Sequence, residues 1–184
     1  MTAVFADIVN STLLTASMDP EDWTDIANGT FKRMSEVIYR YEGTIARLMG
    51  DGILAFFGAP VAHEDDPERA IRCALDMIAS VEDLGAELRR TRDIEFAIRA
   101  GVNTGTVVVG TVGSDLMYEY TAMGDAVNIA SRMQSAARPG SVLVTDTTFR
   151  FIAPLFDAVE LEPISVKGKS EPVVAFEISG PKQA

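Results

Sequence analysis

The first half of the chain alternates short apolar runs with longer stretches of helical periodicity, and this order restricts the fold more than any other feature. TAVFADI predicts a central strand. Apolar residues at helical spacing follow, in a helix that begins at Asp19-Pro20 and ends at Gly43. TIARL and ILAFFG then predict two short strands, so the order is strand, helix, strand, strand.

Two tight turns and a second long helix extend this pattern. The strands TIARL and ILAFFG meet at Met49-Gly50-Asp51-Gly52, where glycines on both sides of an aspartate are typical of a hairpin turn. Residues 65–90 predict one continuous helix with Pro67 in its first turn. EFAIRAGVNTGTVVVGTVG then predicts two more strands, joined at Asn103-Thr104-Gly105.

The C-terminal part adds the helix DAVNIASRMQSAA and three runs, SVLVTD, LFDAVELEPISV and PVVAFEIS, which predict edge strands. Two strand-helix-strand units around an antiparallel sheet predict an α+β fold, a ferredoxin-like βαββαβ arrangement with additional C-terminal strands. A length of 184 residues with 47% hydrophobic content predicts a single domain over residues 1–184. Because a strand starts directly after Met1, we expect this domain to be excised from a larger multidomain protein.

Charge and cysteine content exclude several classes of function. With 16 Lys and Arg against 27 Asp and Glu, the net charge is −11, which opposes non-specific binding to nucleic acid or to an anionic membrane. The single cysteine, Cys73, leaves no internal disulfide, so we expect a reducing, cytoplasmic location. No apolar run reaches the roughly 18 residues of a membrane span.

Two carboxylates are candidate metal ligands. Asp7 ends the first strand directly before the polar turn Asn10-Ser11-Thr12, a position suited either to helix capping or to a metal-bound polyphosphate. Asp51 on its own is typical of a turn. However, strands one and three are neighbours in a ferredoxin-like sheet, which places Asp51 beside Asp7. Two such carboxylates repel each other unless cations join them, and a pair of Mg²⁺ or Mn²⁺ ions suits oxygen ligands.

The sequence has few residues for other kinds of metal or catalytic site. His63 is the sole histidine and Cys73 the sole cysteine, so we exclude a zinc site and a Ser-His-Asp triad. Asn128 and Arg132 are four residues apart and share a helix face, which is either a solvated polar surface or a pair of donors for a transferring phosphoryl group. Lys167 is either an exposed hairpin lysine or a phosphate ligand.

Together, four segments resemble the class III adenylyl and guanylyl cyclase catalytic domain. The combination is specific although no single segment is, and the similarity covers essentially the whole chain. The likeness favours the bacterial and soluble, bicarbonate-responsive branch, in which threonine replaces a base-reading aspartate. The four segments are FADIVNST, RLMGDGILAFFG, EYTAMGDAVNIASRM and VKGKSEPV.

The resemblance implies a function for ten residues. Asp7 and Asp51, with the carbonyl of Ile8, would hold two divalent ions, Mg²⁺ or Mn²⁺. The N–H groups of Ser11 and Thr12 would bind the β- and γ-phosphates. The other five are Thr121 for base reading, Asn128 for the ribose, Arg132 for the transition state, Lys167 for the terminal phosphates, and Arg47, which stands where adenylyl cyclases of the family have an adenine-reading lysine.

The implied function is an adenylyl cyclase that converts ATP to 3′,5′-cyclic AMP and pyrophosphate. In the family the sites lie at a dimer interface, with the metals of one subunit facing Asn128 and Arg132 of the other, so the resemblance implies a homodimer, and it makes bicarbonate a candidate activator. Arg47 leaves two alternatives open. One is a silent or weak regulatory domain that binds nucleotide, and the other is a guanylyl or relaxed-specificity cyclase. Arginine can donate to adenine N1 but cannot accept from guanine N1–H, which favours ATP.

Overall fold

The structure, a computed structural model, describes residues 1–105, 108–112, 119–123 and 125–183, with the backbone alone described in 108–112 and 119–123. Its elements are, in chain order, β1 (Thr2–Ile8), α1 (Ser11–Ser17), α2 (Pro20–Arg40), β2 (Thr44–Leu48), β3 (Gly52–Phe57), α3 (Asp66–Ser80), α4 (Glu82–Arg92), β4 (Ile98–Thr104), β5 (Val108–Val112), β6 (Glu119–Met123), α5 (Asp125–Ala136), β7 (Val142–Thr145), α6 (Asp146–Ile152), β8 (Phe156–Glu160) and β9 (Ala175–Pro181).

The strands form a seven-stranded sheet in the order β2-β3-β1-β4-β7-β9-β8 and a separate β5-β6 ribbon. Strand β1 lies between β3 and β4 and is antiparallel to both. The order β2-β3-β1-β4 confirms the ferredoxin-like arrangement, and β7, β8 and β9 are the additional strands. The expectation that all three C-terminal runs form edge strands is wrong for β7, which is buried along its length and lies between β4 and β9.

The sheet buries both faces. On one face, Val4, Ala6 and Ile8 of β1 pack in the main core, to which α2 and α3 also contribute. On the other, Phe5 packs in a smaller cluster with residues of α5. Because successive side chains of a strand alternate between faces, Asp7 lies on the α5 face.

The helix predicted over residues 65–90 is two helices. The chain breaks at Val81, which is buried and has φ −107° and ψ 0°, so α3 ends at Ser80 and α4 begins at Glu82. The Ser80 hydroxyl bonds back to the carbonyl oxygen of Met77, and Arg33 donates to the Ser80 carbonyl oxygen at 2.6 Å. These hydrogen bonds provide partners for the Ser80 hydroxyl and carbonyl groups where the helix ends. The periodicity of apolar residues does not reveal such a break.

The helix predicted to start at Asp19-Pro20 does so, because the Asp19 carboxylate accepts from the N–H of Glu21. It ends at Arg40, and Glu42, rather than Gly43, takes the left-handed conformation with φ 59°. Gly43 is needed for space, since a Cβ there would lie 2.8 Å from the Phe57 ring. In the described part of the chain, no helix combines the length and apolar character that crossing a membrane requires.

Candidate active site

The two candidate metal carboxylates lie at the ends of neighbouring strands. Asp7 pairs with Gly52 of β3, and Asp51 directly precedes that glycine. A Cβ at Gly52 would lie 2.8 Å from the carbonyl oxygen of Ala6, so glycine lets β3 begin close against β1. The N–H of Ile8 donates to the carbonyl oxygen of Asp51 at 2.9 Å. The hairpin is therefore fixed to β1, and the two carboxylates lie where adjacent strands end, at one edge of the sheet that we name the metal edge after its candidate ligands Asp7 and Asp51.

The turn after β1 places hydroxyl groups beside these carboxylates. Asn10 adopts a left-handed conformation with φ 56° and begins α1 without a side-chain capping hydrogen bond. The Ser11 hydroxyl instead donates to Asp51 Oδ2 at 2.6 Å. Thr12 is exposed in the first turn, where helix N–H groups lack intrahelical acceptors. Ser11 thus binds a carboxylate side chain, and the first turn of α1 has N–H groups for an anion.

Arg99 belongs to this edge and was missed from the sequence. It pairs with Asp7 across β1 and β4, and its Nε donates to Asp7 Oδ1 at 3.2 Å. One of its terminal nitrogens donates to the carbonyl oxygen of Ser135 on α5 at 2.9 Å. The sequence feature that could have indicated Arg99 is its position inside the apolar strand FAIRAGV. An arginine in such a strand needs an acidic or carbonyl partner.

The Asp7 carboxylate is in an environment that disfavours its charge. Burial raises the pKa of Asp7 above its usual value, and the negative charge of Asp51 raises it further. The hydrogen bond and positive charge of Arg99 act in the opposite direction, as does the amide of Gln134. A divalent cation between Asp7 and Asp51 would relieve their repulsion, so the charges at this edge fit metal binding.

The donor set fits a hard divalent ion. The groups at the edge are two carboxylates and backbone carbonyls, all oxygen donors of the kind that Mg²⁺ and Mn²⁺ prefer. In the described residues no group of three His, Cys, Asp or Glu side chains is arranged to hold a metal ion, so the remaining ligands would come from carbonyls, water or phosphate. Mg²⁺ commonly binds in this way, through one or two carboxylates together with substrate phosphates.

A second group of predicted residues lies on α5. Asn128 and Arg132 share its outer face with Ser131 and Ser135, as spacings of three and four residues require. These side chains line an open cavity of about 370 Å³, which Lys167 also borders. Arg132 Nε donates to the carbonyl oxygen of Ser165 at 3.1 Å.

Helix α5 packs tightly on β4. A Cβ at Gly101 would lie 2.0 Å from the backbone nitrogen of Gln134, so only glycine allows this approach. Asn103 Nδ2 donates to the carbonyl oxygen of Ala126 at 3.0 Å and fixes the start of the helix. Gln134 faces the sheet, and two positions along a helix correspond to a rotation of about 200°, so Arg132 faces away from it. The body of α5 therefore lies between Arg132 and the face of the sheet that carries Asp7.

A β-bulge in β2 determines the face on which Arg47 lies. Ile45 pairs with Ala55 and Arg47 pairs with Leu54, so Ala46 is the extra residue. One extra residue reverses the alternation of the side chains that follow it. Leu54 belongs to the buried cluster on the α5 face, so Arg47 lies on that face, where it is exposed.

Arg47 is therefore on the same side of the sheet as Asp7. Thr121 lies on β6, where its backbone pairs with Gly110, and β6 lies beside β2. The Thr121 side chain falls outside the described residues, so its orientation stays a prediction.

Comparison with known proteins finds relatives that are adenylyl or guanylyl cyclases. A sequence model of the adenylate and guanylate cyclase catalytic domain matches residues 1–180. Adenylate cyclase 1 of Rhizobium meliloti is 35% identical over 185 residues, covering 98% of this chain and 27% of that relative. The crystal structure of the adenylyl cyclase CyaB from P. aeruginosa matches with a TM-score of 0.91 and 31% identity, covering 99% of this chain and 94% of that chain.

A guanylyl cyclase matches equally well. The crystal structure of the guanylyl cyclase Cya2 has a TM-score of 0.91 and 30% identity, covering 99% of this chain and 92% of that chain. The backbone therefore does not distinguish the two base specificities, which must depend on individual side chains. The chain spans about a quarter of the length of the curated Rhizobium relative.

Proposed function

The chain belongs to the adenylate and guanylate cyclase catalytic domain family, and we propose that it converts ATP to 3′,5′-cyclic AMP and pyrophosphate. The ribose 3′-oxygen attacks the α-phosphorus in line, a new P–O bond forms, and the bond from the α-phosphorus to the bridging oxygen breaks. The 3′-hydroxyl gives its proton to solvent water, and pyrophosphate leaves with the electron pair of the broken bond. The observation that carries this proposal is that Asp7 pairs with Gly52, which places Asp7 and the preceding Asp51 together at the ends of adjacent strands.

Asp7 and Asp51, with the Ile8 carbonyl, would hold two Mg²⁺ or Mn²⁺ ions. When bound, such ions lower the pKa of the attacking hydroxyl and neutralise phosphate charge. The hydrogen bond from Ser11 to Asp51 and the ion pair of Arg99 with Asp7 keep both carboxylates in place before substrate arrives. Preorganisation of this kind lowers the cost of charge rearrangement during the reaction.

The triphosphate needs local positive charge, because the whole chain carries a net charge of −11. The N–H groups of Ser11 and Thr12 would bind the β- and γ-phosphates. Arg99, beside Asp7, and Lys167, at the α5 cavity, supply the cations. Arg99 extends the phosphate-binding group beyond the residues inferred from the sequence, and its support is its position next to a metal carboxylate.

Asn128 would orient the ribose, and Arg132 would stabilise the charge that develops on the transferring phosphorus. Within one subunit α5 separates Arg132 from Asp7, so a site that uses both is best built from two subunits. We therefore propose a homodimer with two equivalent sites, each combining the metal edge of one subunit with the α5 face of the other.

Arg47 and Thr121 would read the base. The support for Arg47 is the bulge that brings it to the face on which Asp7 lies. Since an arginine offers only donors, it suits the N1 acceptor of adenine and has nothing to accept the N1–H of guanine. ATP is therefore the proposed substrate. The alternatives are a guanylyl or relaxed-specificity cyclase and a regulatory domain that binds nucleotide without turnover.

One assay separates these functions. The purified protein is incubated with ATP or GTP and with Mg²⁺ or Mn²⁺, and cyclic nucleotide and pyrophosphate are measured, with nucleotide binding recorded in parallel. We expect cyclic AMP from ATP at a higher kcat/KM than cyclic GMP from GTP. Binding without turnover at either metal would identify the regulatory domain, and preferred turnover of GTP would identify the guanylyl cyclase.

Two further proposals have narrower support. A cytoplasmic location rests on the single, buried Cys73, which suits a reducing compartment. Activation by bicarbonate rests only on the resemblance to the threonine-type branch. The same assay with and without sodium bicarbonate, at constant pH, tests it.

A further inference from the structure

One buried polar side chain of α5, Gln134, has an amide donor with no hydrogen-bond acceptor among the described residues. The side chain of Gln134 is 6% exposed, and its Nε2 has no hydrogen-bond partner in the described part of the chain. A buried donor without an acceptor destabilises a fold, because its hydrogen bonds to water are lost and not replaced. A methionine or leucine at this position would avoid that cost, so the amide calls for another explanation.

The packing of α5 on β4 places this amide beside the metal edge. The backbone of Gln134 lies against Gly101, and the carbonyl oxygen of the next residue, Ser135, accepts from Arg99. Arg99 in turn pairs directly with Asp7. The Gln134 amide also lowers the pKa of Asp7, although its Nε2 does not meet hydrogen-bond geometry with that carboxylate.

The Asp7 carboxylate has acceptor sites to spare. Arg99 Nε occupies one position on Oδ1, and an ionised carboxylate has about four lone pairs. Arg99 fixes the carboxylate but also offsets the negative charge that a cation needs. An amide can fix the same carboxylate without cancelling its charge, so glutamine is well suited to support a metal ligand.

We propose that Gln134 is a positioning residue, whose Nε2 donates a hydrogen bond to Asp7 and sets the orientation in which that carboxylate binds a divalent ion. The inference rests on the proposed function, since it takes Asp7 to be a metal ligand. Arg99 and Gln134 then hold the carboxylate from β4 and α5 respectively.

The test compares Gln134→Met with the parent protein. Methionine keeps the length and apolar contacts but removes the donor. Binding of Mn²⁺ is measured by electron paramagnetic resonance in the presence of α,β-methylene-ATP, which cannot be cyclised, and the apparent Mn²⁺ constant for turnover is measured separately. Loss of a group that orients a metal ligand typically weakens binding 10–100-fold, and for this neutral donor we expect a loss of about tenfold in both measurements.

Two controls separate positioning from packing. Met133→Leu changes a fully buried neighbour on the same helix, and we expect it to leave Mn²⁺ binding at the parent value. Gln134→Leu repeats the comparison with a branched side chain, in case methionine packs poorly. We expect the melting temperature of Gln134→Met to stay close to that of the parent, because methionine keeps the buried contacts and adds no polar group that lacks a partner.

Mn²⁺ binding by Gln134→Met and Gln134→Leu at the parent value would overturn the inference, whether or not their melting temperatures fall. A parent protein that binds no Mn²⁺ with the nucleotide and makes no cyclic nucleotide would instead overturn the proposed function, and this inference with it. If the parent is active and both variants bind Mn²⁺ as well as the parent does, only the proposed role of Gln134 is disproved.

Discussion

The metal edge and the outer face of α5 are built in opposite ways. At the metal edge, Asp7 and Arg99 are 21% and 26% exposed and pair with each other, while Asp51 is held by Ser11. On the α5 face, Arg132 is exposed, and its described hydrogen bond is to one loop carbonyl. One region is held by side chains from several elements, whereas the other presents its groups to solvent.

This difference has a functional meaning. Charged groups that are fixed before substrate binds do not need to reorganise during a reaction, so the side chains of the metal edge are already arranged for their proposed role. An exposed arginine stabilises a developing charge weakly until a surface excludes water around it. The contrast therefore fits the proposed homodimer, in which another subunit would cover the α5 face.

The largest expected effect is at the metal edge. Asp7→Ala or Asp51→Ala should each lower kcat/KM by roughly a thousandfold or more, because metal ions supply several kcal/mol of transition-state stabilisation. Cyclic nucleotide production measures this loss, and Asp157→Ala, on the distant strand β8, is the control. Near-parental turnover of either variant with Mn²⁺ would disprove the two-metal assignment.

These variants should keep their fold. The raised pKa of Asp7 means that the folded protein disfavours its ionised form, so at neutral pH, without metal, the charge lowers stability rather than adding to it. The melting temperature of Asp7→Ala should therefore not fall below that of the parent in metal-free buffer. A marked decrease would show that the pair with Arg99 is mainly structural.

On the α5 face, Arg132→Ala should lower kcat by about 10²–10³-fold, the usual cost of removing one donor to a transition-state charge. Its melting temperature should be unchanged, because the side chain is exposed. Arg138→Ala, which removes another exposed arginine just beyond α5, is the matched control and should retain activity. A comparable loss in both variants would point to general charge rather than to a specific contact.

Arg47 should affect base choice and, through the fit of adenine, the turnover of ATP. Arg47→Lys should raise turnover of ATP, because the ammonium is the group that adenylyl cyclases of the family use at this position. Arg47→Ala should reduce the preference for ATP over GTP by roughly 1–3 kcal/mol, the usual cost of an unpaired polar group in a recognition site. If both variants match the parent with ATP and GTP, Arg47 does not contact the base.

The smallest expected effect is at Ser11. Ser11→Ala removes one hydrogen bond to Asp51 and should weaken metal activation by about tenfold or less, the lower end for groups that orient a metal ligand. The apparent Mg²⁺ constant for turnover measures it. Thr15→Ala removes a hydroxyl one turn further along α1, bonded to the Ser11 carbonyl, and serves as the control. Equal Mg²⁺ constants for the two variants would contradict this assignment.

The sequence predicted the ferredoxin-like core and the position of Asp51 beside Asp7, because both follow from the order of local periodicities and from a glycine-rich turn. It also predicted that Asn128 and Arg132 share a helix face, because that depends only on their spacing. Periodicity, turn residues and helical spacing are local features of the sequence. The order of strands and helices that they predict limits which strands can be neighbours in the sheet.

Long-range register and small irregularities could not be predicted. The contact of Arg99 with Asp7 depends on the alignment of β1 with β4, and the position of Arg47 depends on one extra residue in β2. The break at Val81 leaves the helical spacing of apolar residues intact, so a continuous helix was expected there. Each of these depends on tertiary contacts rather than on residue pattern.

The most direct test of the shared site is complementation between two inactive proteins. Asp7→Ala and Arg132→Ala proteins are mixed in equal amounts, allowed to exchange subunits, and assayed for cyclic AMP. In a mixed dimer, one site combines the intact metal edge of one subunit with the intact α5 face of the other. Since statistical exchange makes half of the dimers mixed, with one working site in two, the account predicts recovery of about a quarter of parental activity. Activity no higher than that of either variant alone, once subunit exchange has been verified, would contradict it.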